Sequence, residues 1–255
     1  MTQSPGANKL QARTRSIVSP IANRMWTINQ IGYDRLPTDS PAILCPNHIS
    51  FLDSAFLMIT LPRNISFVGK AEYLDSWKTR YLFPAMGMIP IDRSGGEKSR
   101  AALDAAREVL QRNELFGIFP EGTRSRDGYL YKGRTGAARL AMEVGCPIYP
   151  VGITGTDDIQ PPDAKLPKVR RECTIQIGRP VKPERYRGRG PDHAAWRSMI
   201  DEVMFEIREM TAQTYKNVYA GQPTEAVEQH APSRVATVAD DVESAGQAEL
   251  VAMAG

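Results

Sequence analysis

His48 and Asp53 stand five residues apart in the run CPNHISFLDSAF, residues 45–56. On one continuous helix that spacing leaves two side chains roughly 140° apart around the axis, facing different ways. They meet only if the chain turns between them, as it does where a strand gives way to a helix. The flanking residues predict that junction: an apolar run ending at Pro46, a polar turn carrying Asn47 and His48, and an apolar helix beginning at Asp53. An aspartate in a first helical turn is favoured by the helix dipole and can accept a hydrogen bond from one imidazole nitrogen. The other nitrogen is then free to take a proton, which is the orienter-and-base half of a catalytic triad without its serine. Ser50 and Ser54 flank the pair, and neither reads as a nucleophile. Taken alone, the pair fits a structural histidine beside a helix-capping aspartate at least as well.

Three further stretches bear on the choice. GMIPIDR (87–93) is an apolar strand closing on an acid and an arginine, and its Pro90 stiffens the strand. FPEGTRSRDG (119–128) is a strand end followed by Pro, Gly and hydroxyl residues that force a tight exposed loop. GCPIYPV (145–151) has two prolines in a strand-like run, which predicts an edge strand or a strand's first residue. His48, Arg93 and Glu121 through Arg124 all fall just after predicted strands. In an α/β sheet those ends form the binding crevice, so these residues can line one mouth. His193 and His230 fall in a helix start and a terminal tail and join no site. Met58, Met86 and Met88 read as core before they read as an acyl groove. Arg126, Lys132, Arg134 and Arg139 read as solvated charge.

The elements that must hold these residues alternate. Predicted strands are 42–45, 65–68, 88–91, 115–119, 147–153 and 173–178. Helical periodicity follows Asp53 and recurs over Ala71–Phe83, Glu97–Arg112, Thr135–Val144 (stopped by Gly145) and a last helix after Pro191. That last helix turns Trp196, Ile200, Val203, Ile207 and Met210 inward. Residues 154–168 form a polar, proline-rich loop. Strand–helix alternation predicts an α/β fold with helices on the faces of its sheet. Ahead of it, Ser19-Pro20 reads as an N-cap and first helical residue, followed by Ile21, Met25 and Ile28 at helical spacing with Trp26 nearby. Through Tyr33 this segment has four basic residues and no acid, which suits a helix lying in a lipid interface. The chain thus divides into a basic amphipathic segment over 1–35, a domain over 36–220 and a disordered acidic tail over 221–255.

Composition excludes several classes. Hydrophobic residues are 42% and charged residues 24%, as in a globular protein with a sizeable core. The net charge is +3, but residues 221–255 carry −5, which leaves the first 220 residues at +8. That balance suits an anionic lipid or phosphate partner. It also suits nucleic acid, but the chain lacks an interleaved aromatic–basic platform or a reading helix. No run approaches the length of a membrane span, and the N-terminus lacks the apolar core of a secretory leader, so any membrane contact is expected to be peripheral. Cys45, Cys146 and Cys173 form no metal or disulfide spacing and read as reduced thiols of a cytosolic protein, with Cys45 and Cys146 in apolar runs that read as buried. There is no repeat, Walker loop or dinucleotide fingerprint.

Four of these stretches together resemble the blocks of the glycerolipid acyltransferases, the lysophosphatidate (1-acyl-sn-glycerol-3-phosphate) acyltransferases among them. NHISFLD is similar to the first block, GMIPIDR to the second and PIYPV to the fourth, while FPEGTRS matches the third at every position. They occur in family order between residues 45 and 151, with the helix RTGAARLAMEVG between the third and fourth. The resemblance implies a mixed, largely parallel sheet flanked by helices, with 36–220 as the acyltransferase domain. It implies that His48 is the general base and Asp53 its orienting partner. Arg93, Glu121 and Arg124 would bind the acceptor, with Thr123 beside them and Lys70 near the phosphate, and Gly122 would offer a backbone N–H to the oxyanion. The chemistry agrees with these roles. A positioned base contributes roughly 10²–10⁴ in rate, guanidinium forks suit phosphate, and an acyl thioester is activated enough to need no enzyme nucleophile. The implied co-substrates are acyl-CoA or an acyl-carrier protein and a lysophospholipid, with no cofactor or metal, at the cytoplasmic face of the membrane. The blocks leave open glycerol-3-phosphate, another lysophospholipid or a glycolipid as acceptor. A non-catalytic basic membrane-binding protein is the remaining reading, and the intact motifs speak against it.

Overall fold

The computed structural model describes residues 5–70, 87–91, 98–188 and 192–221. The helix expected over 71–83, Met86, Arg93 and the acidic tail beyond 221 lie outside the described residues. The strands are β1 (Trp26–Ile31), β2 (Ala42–Pro46), β3 (Ile65–Lys70), β4 (Met88–Ile91), β5 (Leu115–Gly117), β6 (Leu130–Tyr131), β7 (Ile148–Thr154), β8 (Arg171–Ile177) and β9 (Tyr215–Lys216). The helices are α1 (Pro5–Met25), α2 (Leu52–Thr60), α3 (Lys98–Gln111), α4 (Gly136–Val144), the single turn α5 (Thr156–Ile159) and α6 (Asp192–Thr211). Seven strands form one sheet in the order β1-β8-β7-β2-β5-β3-β4, and β6 and β9 form a separate two-stranded ladder. Every pairing in the large sheet is parallel except β7 with β8, so the fold is the mixed, largely parallel one expected.

The sheet is covered on both faces. Alternation along β2 sends Ile43 and Cys45 into a cluster with Leu110, Leu140 and Ile200 from α3, α4 and α6. Ala42 and Leu44 enter a second cluster with Phe56, Leu57 and Leu61 from α2 and its end. This is why β2 reads as an unbroken apolar run: a parallel strand with helices on both sides has no wet face. All five of its residues are buried. In α4 the apolar stripe Ala137, Ala138, Leu140 and Ala141 is buried, and Gly145, at φ 77, terminates the helix in the left-handed region as the sequence predicts.

Two expectations are corrected. The N-terminal helix does not start at Ser19-Pro20 and does not carry Trp26 or Ile28. It ends at Met25 with Pro20 inside it, and Trp26–Ile31 is a strand parallel to β8. The reason lies in its inner face, which is polar. Gln11 donates to the carbonyl of Ile65 at 2.8 Å and accepts from its N–H at 3.1 Å, Arg15 donates to the Leu61 carbonyl at 3.0 Å, and Ser19 to the Ile59 carbonyl at 2.6 Å. These residues repeat every four positions, so a polar seam holds α1 and the apolar stripe faces outward. Trp26 and Ile28 pack on the second core cluster instead. Residues 5–35 are therefore built into the domain.

The other correction concerns Pro150, which lies inside β7, a central strand, opposite Cys45. Its missing N–H is tolerated because β8 ends at Ile177 on that side. Gly178 donates to the Pro150 carbonyl at 2.8 Å, and the chain rejoins β7 only at Ile148, opposite Val181.

Candidate active site

β2 delivers Asn47 and His48 at its carboxyl end, and α2 begins four residues later. Asn47 is buried and closes the strand end: it accepts from the Ile153 N–H at 2.7 Å and donates to the Ile153 carbonyl at 2.9 Å. The turn brings His48 Nδ1 to 2.8 Å from Asp53 Oδ2. The same oxygen accepts the N–H of Ile49 at 2.8 Å and of Ser50 at 2.9 Å, and Oδ1 accepts the Thr156 hydroxyl at 2.6 Å. Asp53 is fully buried, and four donors offset the cost of taking a carboxylate out of water. Because a carboxylate only accepts, Nδ1 carries the proton and Nε2 is left with a lone pair. The His48 side chain retains 17% exposure. Phe119 stacks on its ring at 3.8 Å between centroids and 19° between planes, which sets the orientation of the imidazole.

Glu121 plays a different part from the one expected. It is 1% exposed, with one oxygen accepting the backbone N–H of His48 at 3.0 Å and the other that of Tyr131 at 2.9 Å. A carboxylate occupied in this way ties the 119–131 loop to the base, and its burial keeps it from the surface an acceptor would reach. Burial pushes its carboxyl up to about 7, with the bonds from Tyr131 and His48 pulling the other way. The loop also returns to His48 through the Ser125 N–H, which donates to the His48 carbonyl at 2.7 Å. Both backbone groups of His48 are thus held by this loop.

Gly122 differs from expectation as well. Its N–H closes the turn by donating to the Phe119 carbonyl at 3.1 Å, so it is not available to an oxyanion. Its φ of +80 and the Arg134 Nε, only 2.9 Å from where a Cβ would stand, are what require glycine there. Thr123 and Arg124 follow on the exposed part of the turn, and their N–H groups take no partner among the described residues. Lys70 is the last residue of β3, pairing with Ile91 of β4, at the sheet edge to which β2 and β5 also run.

Neighbouring side chains narrow the chemistry. Ser50 is buried and bonded to the Gln160 carbonyl at 3.2 Å, and Ser125 is buried and bonded to Asp127 at 3.1 Å. Cys45, Cys146 and Cys173 are buried, and burial raises all three thiols. Arg126 pairs with Asp163 and Arg139 with Glu143, while Lys132 and Arg134 lie over the ring of Tyr219. Met58 is core. The arrangement is a positioned base beside an open, cationic turn.

A family model described as Acyltransferase matches residues 27–154, half of the chain. The chain belongs to the Acyltransferase family. Among its relatives, the chloroplastic 1-acyl-sn-glycerol-3-phosphate acyltransferase of Arabidopsis thaliana is 31% identical over 137 residues, 53% of this chain and 38% of that one. The 1-acyl-sn-glycerol-3-phosphate acyltransferase of Limnanthes douglasii is 35% identical over 120 residues, 47% of this chain and 43% of that one. This chain therefore spans less than half the length of these relatives. A crystal structure of the 1-acyl-sn-glycerophosphate acyltransferase of Thermotoga maritima shares the fold, with a TM-score of 0.60 at 22% identity over 83% of this chain and 80% of that one.

The stretch matched to the Acyltransferase family holds His48, Asp53, Phe119 and the whole 119–131 loop. Thr156, which bonds Asp53, and Gln213, which bonds Asn47 at 2.9 Å, lie beyond it. Sequence reading placed Thr156 in a polar loop and passed over Gln213. Neither has a local signal, because each acts on a residue more than 100 positions away.

Proposed function

We propose that this protein is an O-acyltransferase that moves a fatty acyl group from acyl-CoA to the free hydroxyl of lysophosphatidate, giving phosphatidate. The observation that carries the reading is His48 held through Nδ1 by a buried aspartate, with its other nitrogen unclaimed and Ser50, Ser125 and the three cysteines buried. In the reaction His48 Nε2 takes the acceptor hydroxyl's proton as the oxygen attacks the thioester carbonyl. The tetrahedral intermediate collapses with loss of the thiolate, which recovers a proton, so ester and thiol leave and the imidazole is neutral again. Asp53 stabilises the imidazolium between these steps. Arg124, on the exposed turn, and Arg93, just beyond β4, grip the acceptor phosphate, with Lys70 contributing from the same sheet edge. With the Gly122 N–H engaged, the oxyanion's donors are the N–H groups of Thr123 and Arg124.

A lipid substrate requires a route to the bilayer. Among the described residues no helix is long and apolar enough to cross a membrane. We place the protein peripherally on the cytoplasmic leaflet through the outward face of α1. Leu10, Ile17 and Ile21 fall on that face by helical spacing, opposite Gln11, Arg15 and Ser19, and are 45%, 66% and 55% exposed. Arg13 and Arg24 share the face, which suits an anionic leaflet.

The test is direct. Purified protein is incubated with acyl-CoA or acyl-carrier protein and a panel of acceptors: lysophosphatidate, glycerol-3-phosphate, a neutral lysophospholipid and a glycolipid. Thiol release and lipid product are followed together. Equal release of thiol and phosphatidate, with lysophosphatidate the best acceptor, is expected. Thiol release without any acylated product overturns the reading.

A further inference from the structure

After α6 the chain reverses on Ala212, whose φ of 54 lies in the left-handed region where an alanine is strained. The reversal lays residues 213–218 along the far end of the site loop. Gln213 uses both ends of its amide there, accepting from Asn47 Nδ2 at 2.9 Å and donating from Nε2 to the Gly128 carbonyl at 2.9 Å. Leu130 donates to the Thr214 carbonyl and Lys132 to the Val218 carbonyl, each at 3.0 Å, and between them β6 pairs with β9. Lys216 Nζ lies 3.4 Å from Asp127 Oδ2 and 3.4 Å from the centre of the Tyr129 ring. Asp127 in turn accepts the hydroxyls of Ser125 and Tyr131.

These contacts converge on one point. Among the described residues, the loop that holds His48 by its N–H (Glu121) and its carbonyl (Ser125) pairs in a sheet at its far end through this ladder alone. We propose that residues 213–218 form a strap that fixes the site loop, and that Gln213 is a positioning residue for the base, joining Asn47, the neighbour of His48, to Gly128. The amide bridges the two segments that meet at the base. It does not hold the sheet together: Asn47 keeps Ile153 through two bonds of its own. The catalytic consequence rests on the acyl-transfer reading, whereas the positional one does not.

The experiment compares Gln213→Ala and Lys216→Ala with wild type and with Gln111→Ala, an exposed control at the end of α3. Two readouts are taken: steady-state kinetics, and the low-field proton resonance of the His48 Nδ1–H in water, recorded without substrate and assigned by its loss in His48→Ala. Gln213→Ala is expected to lower kcat about 10- to 100-fold, the scale on which misplacement of a catalytic group acts. Both KM values should stay within about twofold, since both ends of the amide are engaged by the protein itself. The His48 resonance should broaden through faster exchange in Gln213→Ala, broaden less in Lys216→Ala, and be unchanged in Gln111→Ala. An unchanged resonance in Gln213→Ala overturns the proposal, as does a loss seen only in Tm with kcat intact. If wild type transfers acyl groups to none of the acceptors, the functional reading falls, and the resonance alone decides the strap.

Discussion

The backbone N–H of His48 donates to Glu121 across 73 residues of sequence, at 3.0 Å. A residue expected to meet substrate thus works from behind the base. With the Tyr131 N–H on its other oxygen, the carboxylate binds the end of β2 to the 119–131 loop. This makes the loop and the base one unit, and changes at Glu121 should be felt at His48 before they are felt by an acceptor.

Stability should carry the signature of this buried acid. Burial raises the Glu121 carboxyl from 4.5 to about 7 on folding. A carboxyl raised in the folded state contributes stability that is present below pH 4.5 and lost as pH rises through about 7. The unfolding free energy of wild type minus that of Glu121→Gln should therefore fall across this window, by an amount on the order of 3 kcal/mol at most. Melts of both proteins from pH 4 to 8 check this, and a difference that grows with pH would count against it.

For the base itself, His48→Ala should abolish acyl transfer with little change in Tm, and Asp53→Asn should be nearly as severe because it no longer selects the Nδ1–H tautomer. Thr156→Val removes one of Asp53's four donors and leaves a buried acceptor unsatisfied, at a cost of about 1–3 kcal/mol in stability. Near-normal turnover in His48→Ala would refute the mechanism.

The phosphate grip divides the kinetic constants. Arg124→Ala and Arg93→Ala should raise the KM for lysophosphatidate by far more than that for the acyl donor, since losing a desolvated charged hydrogen bond costs about 2–5 kcal/mol. An acceptor without phosphate should be indifferent to both changes. Equal losses on the two acceptors would assign the arginines another task.

Membrane docking is best tested by point variants. Deleting residues 1–33 would remove β1 from the sheet and Gln11 from its two bonds to Ile65, so a lost activity would report unfolding. Ile17→Ser with Ile21→Ser instead alters only the exposed face of α1. The double variant should release protein from anionic liposomes and depress activity on vesicle substrate, while sparing a soluble short-chain acceptor. Cosedimentation at wild-type levels would move the docking surface elsewhere.

The His48–Asp53 pair, the six predicted strands (β2, β3, β4, β5, β7 and β8) and the strand-end placement of the FPEGTRS loop were legible from sequence because each depends on local information. Hydrophobic period, turn residues and the geometry of a strand-to-helix junction act over fewer than ten positions. What only the tertiary structure decided involves partners that no local pattern specifies. Glu121 reads as a ligand until its two oxygens are seen on the backbones of His48 and Tyr131, and the Gly122 N–H reads as free until the turn closes on Phe119. α1 misled because its buried face is polar, bonded through Gln11, Arg15 and Ser19 to backbone groups of the 59–65 segment, and a reading by hydrophobic period assigns such a face to solvent. Pro150 misled for a related reason: a proline is barred from a central strand only where its neighbour needs an N–H, and β8 stops one pairing short. Backbone groups left unpaired by one element can be satisfied by a side chain from anywhere in the chain, and that choice is made only when the chain is folded.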